Sequence, residues 1–199
     1  MFKLTSKMLG TLEDKLSIYH TLFKHIECKA EWLEELIFSS IKPHIQDTDE
    51  IDWKPGGHDK HTDIKLSINN TQHNINIKAG KISVKKELVL SGHRTGSYDS
   101  LEKKTNFLNN PISNIISVPY KKENKQHIYK IYYIDKNLLT KLNPNEWKQR
   151  GKVWEQTNEY GVIFSLRPSM SWQIWWFIPI SLVTDNSDCH LNRKSQDRY

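Results

Sequence analysis

The first half of the chain contains two short runs in which apolar and polar residues alternate. The first run, residues 63–68, places its apolar side chains at Ile64, Leu66 and Ile68. The second run, residues 74–79, alternates in the same way, and the linker between the runs is Asn69-Asn70-Thr71-Gln72. Alternation with a period of two predicts half-buried strands, and such linkers favour turns. The pattern therefore predicts a β-hairpin over residues 62–82.

This hairpin is expected to bring three polar side chains to one face. If it folds symmetrically about the linker, Asp63 lies opposite Lys78, with Cβ atoms ~5 Å apart. Asn76 lies two residues before Lys78 and therefore shares its face. We expect a carboxylate, an amide and an amine to converge there. The alternative is an ordinary hairpin whose polar side chains simply face the solvent.

Two helices are predicted before the hairpin. Apolar residues at helical spacing indicate the first over about residues 11–27, where Thr11 and Asp14 resemble a weak capping box. The second is predicted over residues 30–42 and is ended by Pro43. Its buried face is expected to consist of Trp32, Leu33, Leu36, Ile37 and Ile41.

The rest of the chain is predicted to be mainly β-structure. Strand-like segments are expected over residues 82–90, 113–118, 127–134, 162–164 and 175–178. A helix is expected over residues 98–109, with a loop over 91–98 before it. The last two strands are joined by residues 165–173 and carry several of the Trp and Phe residues, most of which we expect in the core.

Length and composition favour one domain. The 199 residues are predicted to form a single domain over 1–184, followed by a polar tail over 185–199. The domain is expected to consist of a helical part, the hairpin and an aromatic β-rich part, over residues 6–43, 62–82 and 147–184. No apolar run reaches the ~18 residues of a membrane span, and the N-terminus lacks a signal-peptide core. Cys28 and Cys189 lie far apart in sequence, which fits a reducing cytoplasm without a disulfide framework.

A basic surplus suits a polyanionic partner such as nucleic acid. The formal net charge is +6 at pH 7 and the pI is about 9.1, which favours such a partner without being diagnostic. Small, basic and polar residues in the predicted loops and turns could contact phosphates or base edges. The candidate DNA-contacting residues are Lys81, His93, Arg94, Lys121, Lys122, Arg167, Ser169, Ser171 and Gln173. Ordinary surface loops are the alternative explanation of these segments.

A group of potential metal ligands precedes the hairpin. His58, Asp59, His61 and Asp63 could bind a transition metal, but they lack the regular four-ligand spacing of a structural zinc site. We therefore expect the histidines to contact phosphates or bases, or to be simple loop residues.

The polar residues of the hairpin resemble a known catalytic motif. An Asp on one strand, followed on the next by an acidic residue, a spacer and Lys, is the core of the PD-(D/E)xK nucleases. Here Thr62 replaces the Pro and Asn76 replaces the second acid. The segments Gly56-Gly57, Thr62-Asp63 and Asn76-Ile77-Lys78 are similar to the Asn-x-Lys variant found in the MspI-like branch of type II restriction endonucleases.

This resemblance implies an α/β fold, with a mixed β-sheet flanked by helices and extra C-terminal β-strands. It implies Mg²⁺-dependent, sequence-specific cleavage of double-stranded DNA that leaves 5′-phosphate ends, and a cognate DNA methyltransferase as genetic partner. For a palindromic site it leaves open a homodimer or a monomer. Asp63, Asn76 and a helix carboxylate, Glu34, would hold the metal, and Lys78 would orient the attacking water. The alternatives are a repair or structure-selective nuclease of the same fold, or a non-catalytic basic nucleic-acid-binding module. For Glu34, a solvated helix face is the alternative.

Overall fold

A computed structural model describes residues 1–29, 31–54, 62–124 and 126–185 of the chain. The chain divides into two compact units. The first comprises Met1–Ala79, Ser113–Tyr133 and the residues from Asp185, and the second comprises Gly80–Ile112 and Ile134–Thr184. The single domain expected over residues 1–184 stays a prediction, and the expected polar tail lies, after Asp185, outside the described residues.

Helices and strands are mixed along the chain, which confirms the α/β class. The helices are α1 (Ser6–Leu22), α2 (Glu31–Ile41), α3 (Leu101–Leu108) and α4 (Ser169–Trp172). The strands are β1 (Glu50–Asp52), β2 (Ile64–Ile68), β3 (Thr71–Lys78), β4 (Lys81–Ile82), β5 (Glu87–Arg94), β6 (Asn114–Ser117), β7 (Tyr120–Glu123), β8 (Gln126–Tyr129), β9 (Tyr132–Ile134), β10 (Lys148–Arg150), β11 (Val153–Thr157), β12 (Ile163–Arg167), β13 (Gln173–Pro179) and β14 (Thr184–Asp185). Among the described residues, no helix has the length and apolar character needed to cross a bilayer.

The first helix, α1, begins earlier than its apolar spacing predicted. Thr5 caps the helix, and its Oγ1 accepts the Met8 N–H at 3.4 Å. Thr11, the expected cap, lies inside the helix and donates its hydroxyl to the Lys7 carbonyl at 3.1 Å. The predicted start is wrong because Met8 already belongs to the buried stripe that contains Leu12.

The second helix, α2, buries a narrower face than predicted. Leu33, Ile37 and Ile41 are fully buried at a spacing of four residues. Trp32 was expected on this face but is 60% exposed, because neighbouring residues in a helix are rotated by about 100° from one another. Glu34 is half-buried beside the stripe.

The first unit contains a mixed sheet of order β1-β2-β3-β6-β9-β14. Strands β1, β2 and β3 are antiparallel neighbours, whereas β3 and β6 are parallel. One buried cluster combines apolar residues of the hairpin with those of both helices, among them Ile64, Leu66, Ile75, Ile77, Leu12, Leu33 and Ile37. Burial of this face against the helices leaves the other face of the hairpin to its polar residues.

The predicted hairpin is present, but its turn is shorter than predicted. Asn69 and Asn70 have φ angles of 49° and 60°, and Ile68 pairs with Thr71 across them. Two successive left-handed residues form the two-residue turn whose twist matches that of antiparallel strands. The four-residue linker assumed from sequence is therefore wrong.

The shorter turn changes which residues face one another. Ile64 pairs with Ile75, which is a shift of two residues from the predicted register. Carried one residue back, this register sets Asp63 across from Asn76 rather than Lys78. Because side chains alternate with a period of two, the shift leaves all three polar residues on one face.

The second unit contains an antiparallel sheet of order β10-β11-β12-β13-β5-β4. Lys81 belongs to β4 of this sheet and not to the predicted hairpin. His93 and Arg94 end β5 rather than lying in a loop, because pairing with β13 extends this strand beyond its apolar run. Arg167 is the last residue of β12 and Gln173 is the first residue of β13, so the connection between these strands is only residues 168–172.

Strands β7 and β8 form a separate two-stranded hairpin in the first unit. Lys121 and Lys122 lie on β7, not in a turn as predicted, and Lys125 lies outside the described residues. The single strand expected over residues 127–134 is divided into β8 and β9. The chain leaves the hairpin where the Lys130 N–H donates to the Pro119 carbonyl at 3.1 Å.

Candidate functional site

Asp63 is fixed against the C-terminal end of β3. Its Oδ2 accepts the Ile77 N–H at 2.6 Å, and its own N–H donates to the Ile75 carbonyl at 2.9 Å. The preceding Thr62 hydroxyl lies 2.7 Å from the Ser113 hydroxyl, and both side chains are buried. These contacts hold Thr62 and Asp63 in place before β2, so the carboxylate has a defined position on the polar face of the hairpin.

Asn76 and Lys78 lie on the same face, near the end of β3. Asn76 is 5% exposed, and Lys78 is half-buried. Ser117 of β6 lies in parallel register beside Lys78, and the Val118 N–H donates to the Lys78 carbonyl at 2.8 Å. Strand β6 therefore fixes the backbone from which the Lys78 ammonium extends.

Glu34 of α2 is in electrostatic contact with Asp63 and Lys78. Burial raises the pKa of its carboxyl above the ordinary value, and the nearby Asp63 carboxylate raises it further. Trp53 and Lys78 act in the opposite direction on the same pKa. The structure thus brings Glu34, Asp63 and Lys78 close enough to influence one another, although they lie on separate elements.

The donor set fits a hard divalent cation. Two neighbouring carboxylates, Asp63 and Glu34, repel each other, and a cation between them would relieve that repulsion. Carboxylate and amide oxygens, the latter from Asn76, are ligands that Mg²⁺ accepts, with water completing its shell. Within the described ranges, no group of three or more His, Cys, Asp or Glu side chains is placed to hold a metal ion. Gly56, Gly57, His58, Asp59 and His61 lie outside these ranges.

The candidate DNA contacts of the first unit lie on the β7–β8 hairpin. Lys121 and Lys122 are both exposed. The Lys121 ammonium pairs with the Glu123 carboxylate at 3.0 Å, and the Lys122 ammonium lies 3.2 Å from Nδ1 of His25. An exposed ion pair is easily exchanged for a phosphate contact, because it contributes little to stability.

In the second unit, three candidate contacts form one row across adjacent strands. Gln173 of β13 pairs with Arg167 of β12 on one side and with Arg94 of β5 on the other. Arg94 is exposed, whereas the Arg167 guanidinium lies over the Trp175 ring at 4.9 Å from its centroid. The Gln173 amide nitrogen donates to the Gly92 carbonyl at 3.3 Å, so it braces the sheet.

Residues 168–172 connect Arg167 to Gln173 and form the tip of the β12–β13 hairpin. Ser169 and Ser171 are exposed on it, and Ser171 and Trp172 have φ angles of 60° and 57°. Both the N–H and the hydroxyl of Thr95 donate to the Trp172 carbonyl, at 3.0 and 2.7 Å. The Lys104 ammonium lies 5.4 Å from the Trp172 ring centroid. These tertiary contacts hold a backbone conformation that non-glycine residues rarely adopt.

The other two candidates of the second unit differ in exposure. The His93 ring is half-buried and makes edge contacts with Phe107 and Trp176, with centroids 5.9 and 5.8 Å apart. Lys81 is exposed on β4. Lys81 therefore presents its charge to solvent, whereas His93 packs among aromatic rings.

The sequence did not single out Trp53, Ser113 or Ser117, all of which border the site. Ser117 lies beside Lys78 only because β3 pairs in parallel with β6. Trp53 lies near Glu34 only because of the packing of α2. Alternation along β6 was the one local signal that could have placed Ser113 and Ser117 on a common face.

Comparison of the chain with protein-family models, with curated proteins and with solved structures finds no match.

Proposed function

We propose that this protein is a type II restriction endonuclease that cleaves double-stranded DNA at a specific sequence, with Mg²⁺, leaving 5′-phosphate ends. The observation that carries the proposal is the convergence of Asp63, Asn76 and Lys78 on one face, with the Glu34 carboxyl in electrostatic contact. A mixed sheet flanked by helices, with further strands toward the C-terminus, is also the architecture that the PD-(D/E)xK resemblance implies.

Asp63, Glu34 and the Asn76 amide oxygen would hold the cation. When bound, Mg²⁺ polarises the phosphoryl group and lowers the pKa of a bound water. Asn76 is neutral, so the site has one negative charge fewer than a site with an acid at that position. The ionised Glu34 carboxylate compensates for this loss, although its raised pKa makes its ionisation sensitive to pH.

Lys78 would supply a positive charge close to the phosphoryl oxygens, on which negative charge develops in the transition state. Its backbone is fixed by the Val118 N–H, and its ammonium would orient the attacking water from this position. Asp63, fixed by the Ile77 N–H, keeps its carboxylate in place before the substrate arrives.

The basic surfaces of both units would bind the duplex. Arg94, Arg167, Ser169, Ser171 and Gln173 belong to the row and tip that would contact bases, whereas Lys81, Lys121 and Lys122 would contact phosphates. We assign no base contact to His93, given its aromatic packing. A cytoplasmic location, a cognate DNA methyltransferase and a homodimer on a palindromic site belong to the same proposal.

The test is incubation of the purified protein with unmethylated phage-length DNA, in Mg²⁺ and in EDTA. Discrete fragments that require Mg²⁺ support the proposal, and sequencing their ends gives the site. A smear would instead indicate a non-specific or repair nuclease. Retained DNA binding without cleavage in Mg²⁺ or Mn²⁺ would indicate a binding module.

A further inference from the structure

Trp53 lies directly beside the candidate site. It follows β1, in which Asp52 pairs with Lys65 of β2. Carried one residue further, this register sets Trp53 across from Ile64, the residue that follows Asp63. The Trp53 side chain therefore lies on the face of the sheet that carries Ile64 and packs against α2, one position along β2 from Asp63.

The Trp53 ring is anchored along the face of α2 that carries Glu34. It stacks on Phe38 with ring centroids 5.3 Å apart and an interplanar angle of 27°. Phe38 lies four residues after Glu34, so the two side chains are neighbours on the helix surface. The Lys42 ammonium lies 5.7 Å from the Phe38 ring centroid. This stack gives the indole a fixed orientation independent of any ligand.

The polar atom of this ring is not satisfied in the described structure. Trp53 Nε1 is buried and makes no hydrogen bond of good geometry with a described residue. An indole nitrogen can only donate, and leaving a buried donor unsatisfied costs about 1–3 kcal/mol. The Glu34 carboxyl is the nearby acceptor, because it lies one helical turn before Phe38, on which the Trp53 ring stacks; Trp53 also lowers the pKa of this carboxyl.

We propose that Trp53 is a positioning residue, whose indole N–H donates to the Glu34 carboxylate and orients it toward the cation held with Asp63. The inference rests on the proposed function. Outer hydrogen bonds of this kind fix the orientation of a ligand, and their loss weakens metal binding by about 10- to 100-fold.

Trp53→Phe is the decisive variant, because phenylalanine keeps an aromatic ring against Phe38 and removes the N–H donor. We expect the half-saturating Mg²⁺ concentration for cleavage to rise about 10-fold, with nearly unchanged turnover at saturating Mg²⁺. Trp32→Phe is the matched control, since Trp32 is 60% exposed and lies on α2, the helix that carries Glu34. An unchanged Mg²⁺ dependence in Trp53→Phe would overturn the inference.

A second readout does not depend on cleavage. In metal-free protein, the Glu34 carboxyl can be titrated by ¹³C NMR, and we expect its midpoint to lie at higher pH in Trp53→Phe than in the wild type. If the wild type does not cleave DNA but this shift is present, the proposed function fails and the Trp53–Glu34 pairing stands. If the wild type cleaves and the midpoint is unchanged, the pairing fails alone.

A third measurement uses the wild-type ring itself, in case the substitution impairs folding. The Trp53 indole ¹H–¹⁵N resonance should move when Mg²⁺ is added to the wild type and should stay in place in Glu34→Gln. If the protein binds Mg²⁺ and the chemical shift of this resonance does not change, the proposed role of Trp53 is wrong.

Discussion

The two hairpins to which the sequence assigns function, β2–β3 and β12–β13, are built in different ways. In β2–β3 the functional side chains lie along the strands, on a face that other elements partly cover, and the turn is a simple pair of asparagines. In β12–β13 they lie at the strand ends and on the tip, where Ser169 and Ser171 are exposed. The first arrangement suits chemistry on an enclosed group, and the second suits contact with a large exposed partner.

The two connections also differ in what fixes them. Asn69 and Asn70 adopt left-handed conformations that asparagine tolerates, so the local sequence largely determines the first turn, with one added contact from the Asn69 N–H to Oδ1 of Asp49 at 3.1 Å. Ser171 and Trp172 adopt the same region only because Thr95 and Lys104 hold Trp172, and because Gly96 leaves room for Ser171. A Cβ on Gly96 would lie 2.9 Å from the Ser171 carbonyl oxygen. The second tip is therefore a product of tertiary structure.

The strongest test of the comparison is Asp63→Asn. This change removes the charge of a fixed carboxylate and keeps its shape, so we expect cleavage to fall by about 10³-fold or more. DNA binding should be retained, because the tip of β12–β13 is unaffected. Gel-shift and cleavage assays on the same DNA measure both quantities.

Asp14→Asn is the matched control for Asp63→Asn, since Asp14 is exposed on α1. It should leave cleavage within about twofold of the wild type. If Asp63→Asn abolishes DNA binding or lowers the melting temperature together with cleavage, the residue has a structural role and the assignment of chemistry to this hairpin is wrong.

The next largest effect is expected for Glu34→Gln. Loss of one of two carboxylates should raise the half-saturating Mg²⁺ concentration by about 100-fold, more than loss of the Trp53 donor. Burial and Asp63 raise the pKa of Glu34, so wild-type cleavage at limiting Mg²⁺ should fall with acid at a higher pH than an ordinary carboxyl would cause. This limb of the pH profile should be absent in the variant. A wild-type profile that persists in Glu34→Gln would exclude the carboxyl as a ligand.

At the other hairpin, Arg94→Ala should weaken specific DNA binding by about 10-fold, since a base contact contributes about 1–3 kcal/mol. The loss should be smaller for non-specific DNA. Lys81→Ala is the comparison. Loss of a phosphate contact should weaken binding to every DNA sequence and reduce by about one the number of counterions released on binding. Equal losses on specific and non-specific DNA would show that Arg94 does not read a base.

The hairpin β2–β3 could be predicted from alternation because burial of one face leaves a period of two in the sequence. The same period explains why an error of two residues in register did not separate Asp63 from Asn76 and Lys78. The turn length was missed because Thr71 and Gln72, assigned to the linker, continue the strand. Polar residues at an exposed strand end carry no alternation from which the boundary could be set.

Contacts between elements that are far apart in the sequence produce no such periodic pattern. Glu34 was found through resemblance, whereas Trp53 precedes Asp63 by ten positions and meets Glu34 through the packing of α2. Trp32 was misplaced because propensity and size suggest burial, while the helix geometry turns it outward. The extension of β5 to Arg94 depends on pairing with β13, which lies some eighty residues further along the chain.

Low pH should lower the free energy of unfolding of the first unit through a pair of stacked histidines. The rings of His20 and His127 lie 3.6 Å apart at 15°. Nδ1 of His20 faces the Phe23 carbonyl, so it carries the proton, and Nε2 then accepts from the Tyr129 hydroxyl at 2.7 Å. The neutral ring is therefore satisfied, and a second proton would break this bond and place positive charge beside His127.

Burial and His127 lower the pKa of His20 to about 4, from 6.5 in the unfolded chain. Between these values the unfolded state binds more protons, so the free energy of unfolding should decrease as pH falls from about 6.5 to 4. The ring is half-exposed and screened by solvent, which limits the expected loss to about 1 kcal/mol. Thermal melts at pH 7 and pH 5 measure it, and the double variant His20→Gln/His127→Gln should show a smaller difference. An equal difference would assign the acid effect to other groups.

The smallest effects are expected at the two connections, and they test directly whether one is local and the other tertiary. Glycine adopts left-handed φ without penalty, so Asn70→Gly should increase stability by about 0.5 kcal/mol and leave DNA affinity unchanged. Ser171→Gly removes the same kind of penalty but also frees a tip that Thr95 holds through Trp172, so any gain in stability should come with weaker DNA binding. Melting curves and DNA titrations on both variants separate the cases. If Ser171→Gly binds DNA as tightly as the wild type does, the rigidity of the tip contributes nothing to recognition, and the difference between the two hairpins is one of folding alone.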